Sequence, residues 1–187
     1  MSLFTGKGDG GTSKLFTTPS GERLSKSSTI FEALGAVDEI NSFLGLCKVV
    51  SGQSKYRVGH YDRSFHDIVH SIQKNLFIVQ AELAGSQISI GEEKVKELEA
   101  IIEAVEKELP PIKTFFISGG TFLGSLFDTS RAISRRAERF IVRVSEEGVV
   151  LGEYSKAYMN RLSSVLYALA RLSNHLSGVE DVAPDYS

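Results

Sequence analysis

Residues 65–83, FHDIVHSIQKNLFIVQAEL, decide the fold of this chain. Phe65, Ile68, Ile72, Leu76, Val79 and Leu83 recur every three or four positions, so on an α-helix they share one apolar stripe. A strand would scatter the same residues over both of its faces. Other segments repeat the pattern. Upstream, Ala33, Val37, Ile40, Leu44 and Cys47 mark a helix that starts after Ser27-Ser28-Thr29, a cluster of N-cap candidates. Downstream, Val95, Leu98, Ile102, Val105 and Leu109 mark a third, stopped by Pro110-Pro111. A fourth is predicted from about Thr121 to Glu146, with Leu123, Phe127, Ile133, Ala137, Phe140 and Val144 inward. The fifth carries Tyr158, Leu162, Val165, Leu169, Leu172 and Leu176.

Short connections between such helices predict an all-α fold, an antiparallel five-helix bundle with shallow crossing angles. Strand signals are nearly absent, since Lys113 to Ser118 is too short and isolated for a sheet. Pro19, Pro110, Pro111 and Pro184 all lie outside the predicted helices. Ser51 to Arg63 is polar and glycine-containing, and reads as a loop; Gly178 to Ser187 reads as a tail. No repeat or low-complexity tract interrupts the chain. The expected organisation is one domain, with an arm over 1–26, the bundle over 27–177 and the tail over 178–187.

Composition narrows the function classes. The 187 residues suffice for a sizeable core, and 42% hydrophobic with 24% charged residues is ordinary globular composition. A formal net charge of −2 argues against a general nucleic-acid binder, which needs a basic surface to displace counterions. Cys47 is the only cysteine, which excludes an intrachain disulfide and a cysteine-based zinc site. No apolar run approaches the roughly 20 residues of a membrane span. With neither a secretory nor a transit pattern at its start, the chain is expected to be cytoplasmic.

Chemistry concentrates in two places. Thr5-Gly6-Lys7-Gly8-Asp9-Gly10-Gly11-Thr12-Ser13-Lys14 holds four of the 17 glycines together with two lysines and three hydroxyls. Glycines let backbone N–H groups converge on an anion, and lysine adds charge, so the segment reads as a phosphate nest or as a plain N-terminal arm. Gly6, Gly8 and Gly11 match a G-x-G-x-x-G spacing, but no strand precedes them as a dinucleotide fold requires. A Walker A loop fails as well, because Thr12 stands where its lysine should be. The second place is Arg131, Arg135, Arg136, Arg139 and Arg143 on one helix. Arg131, Arg135 and Arg139 step by four and share a face, with Glu138 the only acid between 131 and 145. Such a row is a solvated face, an interface or a site for bidentate phosphate contacts.

Weaker signals surround these. Asp38-Glu39 with Asn41 reads as the polar edge of its helix, and Phe115-Phe116-Ile117 before Gly119-Gly120 as an aromatic pair of the core type. His66 and His70 have a metal-compatible i, i+4 spacing. With no H-E-x-x-H or Glu-x-x-His pattern they read as structural or surface histidines, and no residue is assigned as a metal ligand.

Taken together, the order of these pieces resembles the cob(I)alamin adenosyltransferase family. The likeness spans nearly the whole chain. It includes Thr5 to Gly11, Lys26, Glu32 to Asn41 (EALGAVDEIN), Ile72 to Phe77 (IQKNLF) and Phe115 to Thr121. Arg131 to Arg139 (RAISRRAER) and Tyr158 to Leu162 (YMNRL) complete it. The resemblance implies a homotrimer with each active site between neighbouring subunits. It implies ATP contacts from Thr5, Gly6, Lys7, Gly8, Ser13, Lys14, Lys26, Arg135, Arg136, Ala137, Glu138, Arg139 and Asn160. Arg131 would pair with Asp38 of an adjacent subunit, and Phe115 would face cobalamin. Ser13 stands where threonine is usual, Ser118 where proline is common and Asp128 where histidine is common, the last two on the expected corrinoid side.

The implied reaction is attack by Co(I) on the 5′ carbon of ATP, expelling triphosphate, with Mg²⁺ bridging phosphate oxygens. The metal of the substrate is the nucleophile, so no serine, histidine or carboxylate base is required. Positioning and charge neutralisation remain for the protein, roles that suit Lys7, Lys14, Lys26, Arg135 and Arg139. An apolar wall at Phe115 would exclude the lower axial ligand and ease reduction of Co(II). A flavoprotein reductant and an adenosylcobalamin-dependent enzyme are the implied partners. Two other classes compete: a corrinoid carrier or chaperone, and an ATP-sensing bundle without turnover.

Overall fold

A computed structural model of the chain describes residues 3–52, 57–58 and 63–186. The apolar stripe of residues 65–83 forms α2 (Phe65–Leu83), with Phe65, Ile68, Ile72, Leu76, Val79 and Leu83 all buried. Its start is set by a capping box. The Ser64 hydroxyl accepts from the Asp67 amide at 3.1 Å, and the Ser64 amide donates to the Asp67 carboxylate at 3.3 Å. Hydrogen bonds from Ser64 hold the Asp67 carboxyl below its usual range.

Helix α1 (Thr29–Ser51) precedes it, and α3 (Glu92–Glu108), α4 (Phe122–Glu146) and α5 (Glu153–Leu176) follow. The predicted boundaries hold to within a few residues. Ser51 is the last residue of α1, and of the loop expected from Ser51 to Arg63, residues 53–56 and 59–62 lie outside those described. Two short ladders supplement the helices. β1 (Thr12–Ser13) pairs antiparallel with β2 (Leu24–Ser25), and β3 (Arg57–Val58) with β4 (Arg63–Ser64). Neither coincides with Lys113 to Ser118.

The helices pack in the order α2, α1, α4, α5, α3, and together they form a five-helix bundle. Phe65 of α2 meets Phe127 of α4 with ring centroids 5.8 Å apart. Asn75 of α2 donates to the buried hydroxyl of Tyr158 on α5 at 3.2 Å, and burial pushes that phenol well above its ordinary range. Helix α5 lacks a cap of its own at Gly152; the buried Glu82 carboxylate of α2 supplies one. It accepts from the Gly152 amide at 2.6 Å and from the Ser155 hydroxyl, placing negative charge where the helix dipole favours it.

Helix α1 is apolar on more than one side. Val37, Ile40 and Leu44 enter the core, while Leu46 and Val49 face outward. Asn41 is buried, so the expected polar edge at 38–41 comprises only Asp38 and Glu39. Among the described residues no helix is long and apolar enough to cross a membrane.

Candidate active site

Between α3 and α4 the chain makes a loop that the fold cannot regularise. Pro110 and Pro111 end α3, since the residue before proline is driven to extended geometry; Leu109 has ψ 151°. Gly119 and Gly120 take φ 131° and 103°, and Thr121 then caps α4 by accepting from the Gly124 amide at 2.9 Å. Gly120 and Gly124 also leave space for the Asn174 side chain: a Cβ at Gly120 would come within 2.7 Å of it. The loop roofs a cleft of about 780 Å³ over α4 and α5, where Phe115, Asp128, Arg131, Arg135, Tyr167 and Arg171 meet.

Phe115 is 81% exposed and Phe116 half-buried, so the aromatic pair is not a core pair. The ring of Phe115 is available to an apolar ligand in the cleft. Arg131 sits on the cleft floor, bonded to Asp128 at 3.3 Å and 5.9 Å from the centre of the Tyr167 ring. Burial, ahead of the surrounding charges, raises the Tyr167 phenol, so it stays protonated at neutral pH.

The remaining arginines divide by partner. Arg136 pairs with Glu39 of α1, and Arg143 with Glu147 at 3.4 Å. Arg135 and Arg139 are exposed and have no carboxylate partner among the described residues; Arg139 only donates back to the Arg135 carbonyl at 3.1 Å. Beside this pair, Asn160 of α5 donates to Glu138 at 2.7 Å and accepts from Arg161 at 2.6 Å. Ala137 is buried, leaving its side chain no route to a ligand.

The N-terminal arm is shaped by backbone turns. Gly6 and Gly11 have φ 67° and 72°, with Asp9 N donating to Gly6 O at 3.2 Å and Gly11 N to Gly8 O at 3.1 Å. The Lys26 ammonium donates to the Gly8 carbonyl at 3.1 Å, and Ser13 lies in β1. Thr5, Lys7 and Lys14 are exposed. The arm reaches the bundle where Phe16 N donates to Ala84 O, past the end of α2, at 2.9 Å. Its ties therefore lead to α2, while the arginine row is joined to α1 and α5.

Asp38 stands on a different face. Gln80 reaches it at 3.5 Å, and within the chain it meets neither Arg131 nor any other cation among the described residues. It borders a hollow of about 270 Å³ with Lys74 and Phe77, next to the buried Asn41 Oδ1 and Gln73 Oε1. Those two amide oxygens find no donor among the described residues. No cluster of three metal-ligating side chains occurs among the described residues, and His66 and His70 stack at 6.4 Å on the surface.

Sequence reasoning passed over Tyr167, Arg171 and Asn174. All three lie on α5, whose 165–174 stretch is buried on nearly every side. Polar residues inside such a stretch must find internal partners, and that was the available signal.

Fold and cleft define a helical bundle that brings an aromatic loop beside a cationic helix. The cobalamin adenosyltransferase family model matches residues 3–173, and the chain belongs to that family. It is 35% identical over 182 residues to the corrinoid adenosyltransferase PduO of Citrobacter freundii, covering 94% of this chain and 50% of that protein. The chain thus spans about half the length of that relative. To the corrinoid adenosyltransferase of Bacillus subtilis (strain 168) it is 37% identical over 192 residues, covering 97% of this chain and 91% of the other. Its fold matches a variant PduO-type ATP:corrinoid adenosyltransferase from Lactobacillus reuteri complexed with cobalamin and ATP. There the TM-score is 0.86 at 27% identity, covering 100% of this chain and 98% of that one.

Proposed function

We propose that the chain transfers the 5′-deoxyadenosyl group of ATP to cob(I)alamin, giving adenosylcobalamin and triphosphate. The observation that carries this reading is the exposed Phe115 ring over a cleft lined by Arg135, which meets no carboxylate among the described residues. One wall is suited to a flat apolar face, the other to a polyanion. In the reaction a Co–C5′ bond forms from the Co(I) electron pair, the C5′–O bond breaks, and triphosphate leaves with that bond's electrons. Phe115 excludes an axial ligand from the cobalt face it covers. Arg135 and Arg139 neutralise charge developing on the leaving group, joined by Lys7, Lys14 and Lys26, while the Thr5–Gly8 turn offers backbone N–H groups.

When bound, Mg²⁺ would neutralise part of the triphosphate charge; the Glu138 carboxylate oxygens, one of which accepts from the Asn160 amide at 2.7 Å, are of the kind an Mg²⁺ ion prefers. They fit a metal that arrives on phosphate and keeps much of its water.

The active unit in this reading is a homotrimer. Three features support it: the arm's ties lead away from the arginine row, and among the described residues Asp38 meets no cation and two amide oxygens beside it meet no donor. A neighbouring copy supplies all of them, with Arg131 meeting the adjacent Asp38 and the arm closing over Arg135 to Arg139. The chain acts as one domain in a cytoplasmic setting, with arm 1–26, bundle 27–177 and tail 178–187, served by a flavoprotein reductant and an adenosylcobalamin-dependent acceptor.

Anaerobic incubation with ATP, Mg²⁺ and chemically reduced cobalamin tests the reaction. Adenosylcobalamin and triphosphate should appear in equal amounts. Corrinoid binding without either product would make the chain a carrier, and ATP binding without a corrinoid response would make it a sensor.

A further inference from the structure

The buried guanidinium of Arg171 has no part in that scheme. Arg171 of α5 is 7% exposed, and its side chain touches three separate pieces of chain. Nε donates to the Asp181 carboxylate at 2.7 Å, beyond the end of α5. A terminal NH₂ donates to the Pro110 carbonyl at 3.0 Å, where α3 ends. The guanidinium also lies 5.1 Å from the centre of the Phe116 ring. One turn further on, Asn174 donates to Gly119 O at 2.9 Å and accepts from the Thr121 amide at 2.9 Å. The middle of the loop has its own tie to the C-terminal segment: Ile117 N donates to Val182 O at 2.8 Å.

The loop is thus fastened at both ends to α5 and at its centre to residues after α5, while Phe115 itself makes no part of the fastening. The pair also forms a partition. The cleft of about 780 Å³ and a second hollow of about 550 Å³ share Phe116, Arg171 and Asp181 as their common wall. A buried ion pair is a poor source of net stability, because desolvation offsets most of its attraction. Its geometry, by contrast, is directional, and here it fixes which way the loop faces.

Resting on the corrinoid reading of the cleft, we propose that Arg171 is a positioning residue, which uses Asp181 to hold Phe115 at the height a corrinoid requires. The segment around Asp181 and Val182 is then part of the corrinoid wall and not a loose tail. Arg171 acts through the loop and need not touch either substrate.

The test uses Asp181→Asn, Asp181→Glu and a chain ending at Gly178, because Arg171 itself sits in the core and its loss endangers folding. Steady-state KM for cob(I)alamin and for ATP is measured with hydrogen exchange of the Ile117 amide in the substrate-free protein. Asp181→Asn and the truncation should raise KM for the corrinoid by about tenfold, as expected for one lost charge-assisted hydrogen bond. KM for ATP should stay within about twofold, Ile117 should exchange faster, and Asp181→Glu should restore most of the loss. Equal changes in both KM values, or unchanged corrinoid KM despite faster exchange, would overturn the proposal. Wild-type protein that forms no adenosylcobalamin would instead overturn the functional reading, and the exchange data would still decide whether the tie exists.

Discussion

Lys7, Lys14 and Lys26 on the N-terminal arm are exposed and arranged by glycine turns, whereas the loop carrying Phe115 is tied down by buried side chains of α5. In the proposed function the contrast follows from what each region binds. A triphosphate is flexible and strongly charged, so long hydrated cations can close on it at little cost in prior order. A corrinoid face is broad and stiff. An apolar wall for it has to stand at the right height beforehand, since placing it during binding would consume affinity. Function should therefore fail without unfolding when the arm is altered, and fail together with stability when the fastenings of the loop are altered.

The sharpest separation is expected at Phe115. Its ring is 81% exposed, so Phe115→Ala should leave the melting temperature and ATP affinity nearly unchanged. Turnover should fall by about a hundredfold, the scale of losing reactant placement. If Phe115 excludes the axial ligand, bound Co(II) should show a four-coordinate spectrum that the variant lacks, and unchanged spectra would remove Phe115 from the mechanism. Arg135→Ala comes next. Losing one charge-assisted contact should weaken ATP by about 1.5–3 kcal/mol, read by titration calorimetry, with thermal unfolding unaltered. Wild-type affinity and rate in that variant would make the arginine row structural.

Thr121→Ala strikes the opposite kind of element. Thr121 caps α4 and its hydroxyl donates to the Asn174 side-chain oxygen Oδ1 at 3.0 Å, so the change should cost about 1 kcal/mol in denaturant unfolding. Corrinoid KM should rise alongside, with KM for ATP steady. If both KM values rise equally, the loop is not specific to one substrate. The smallest effect is expected from Lys26→Ala. Among the described residues its ammonium bonds only to the exposed Gly8 carbonyl, so stability should shift by less than about 0.5 kcal/mol while KM for ATP rises a few-fold. A large drop in melting temperature would show the arm to be part of the core fold.

The same contrast explains what could be read in advance. Periodicity exposed α2 because Ile68, Ile72 and Leu76 face a core on one side only. It located α1 but misjudged its polarity, since Asn41 is buried and Leu46 is outside. A helix covered on two sides carries no single stripe to follow. The arginine row and the glycine arm were legible because excess charge and glycine stand out in composition. Their distribution was not: Arg136 and Arg143 pair with Glu39 and Glu147, and only three-dimensional neighbours reveal that Arg135 and Arg139 meet no carboxylate among the described residues. Phe115 read as core by residue type, yet is held outside by ties on either side of it. Arg171 and Asn174 stayed hidden because their partners are largely backbone atoms of Pro110, Gly119 and Thr121, which no side-chain pattern announces.

In the proposed trimer, arm and arginine row complete one site only across a subunit boundary, and subunit complementation tests this most directly. One subunit carries Arg135→Ala with an intact arm; the other has Lys7, Lys14 and Lys26 all replaced by alanine with an intact arginine row. Each alone should form little adenosylcobalamin. Co-expressed and purified as mixed assemblies, they should recover a substantial fraction of wild-type activity, because some interfaces then join an intact arm to an intact row. Mixed assemblies no more active than their parents would place arm and row of the same subunit in the same site, and would contradict the account.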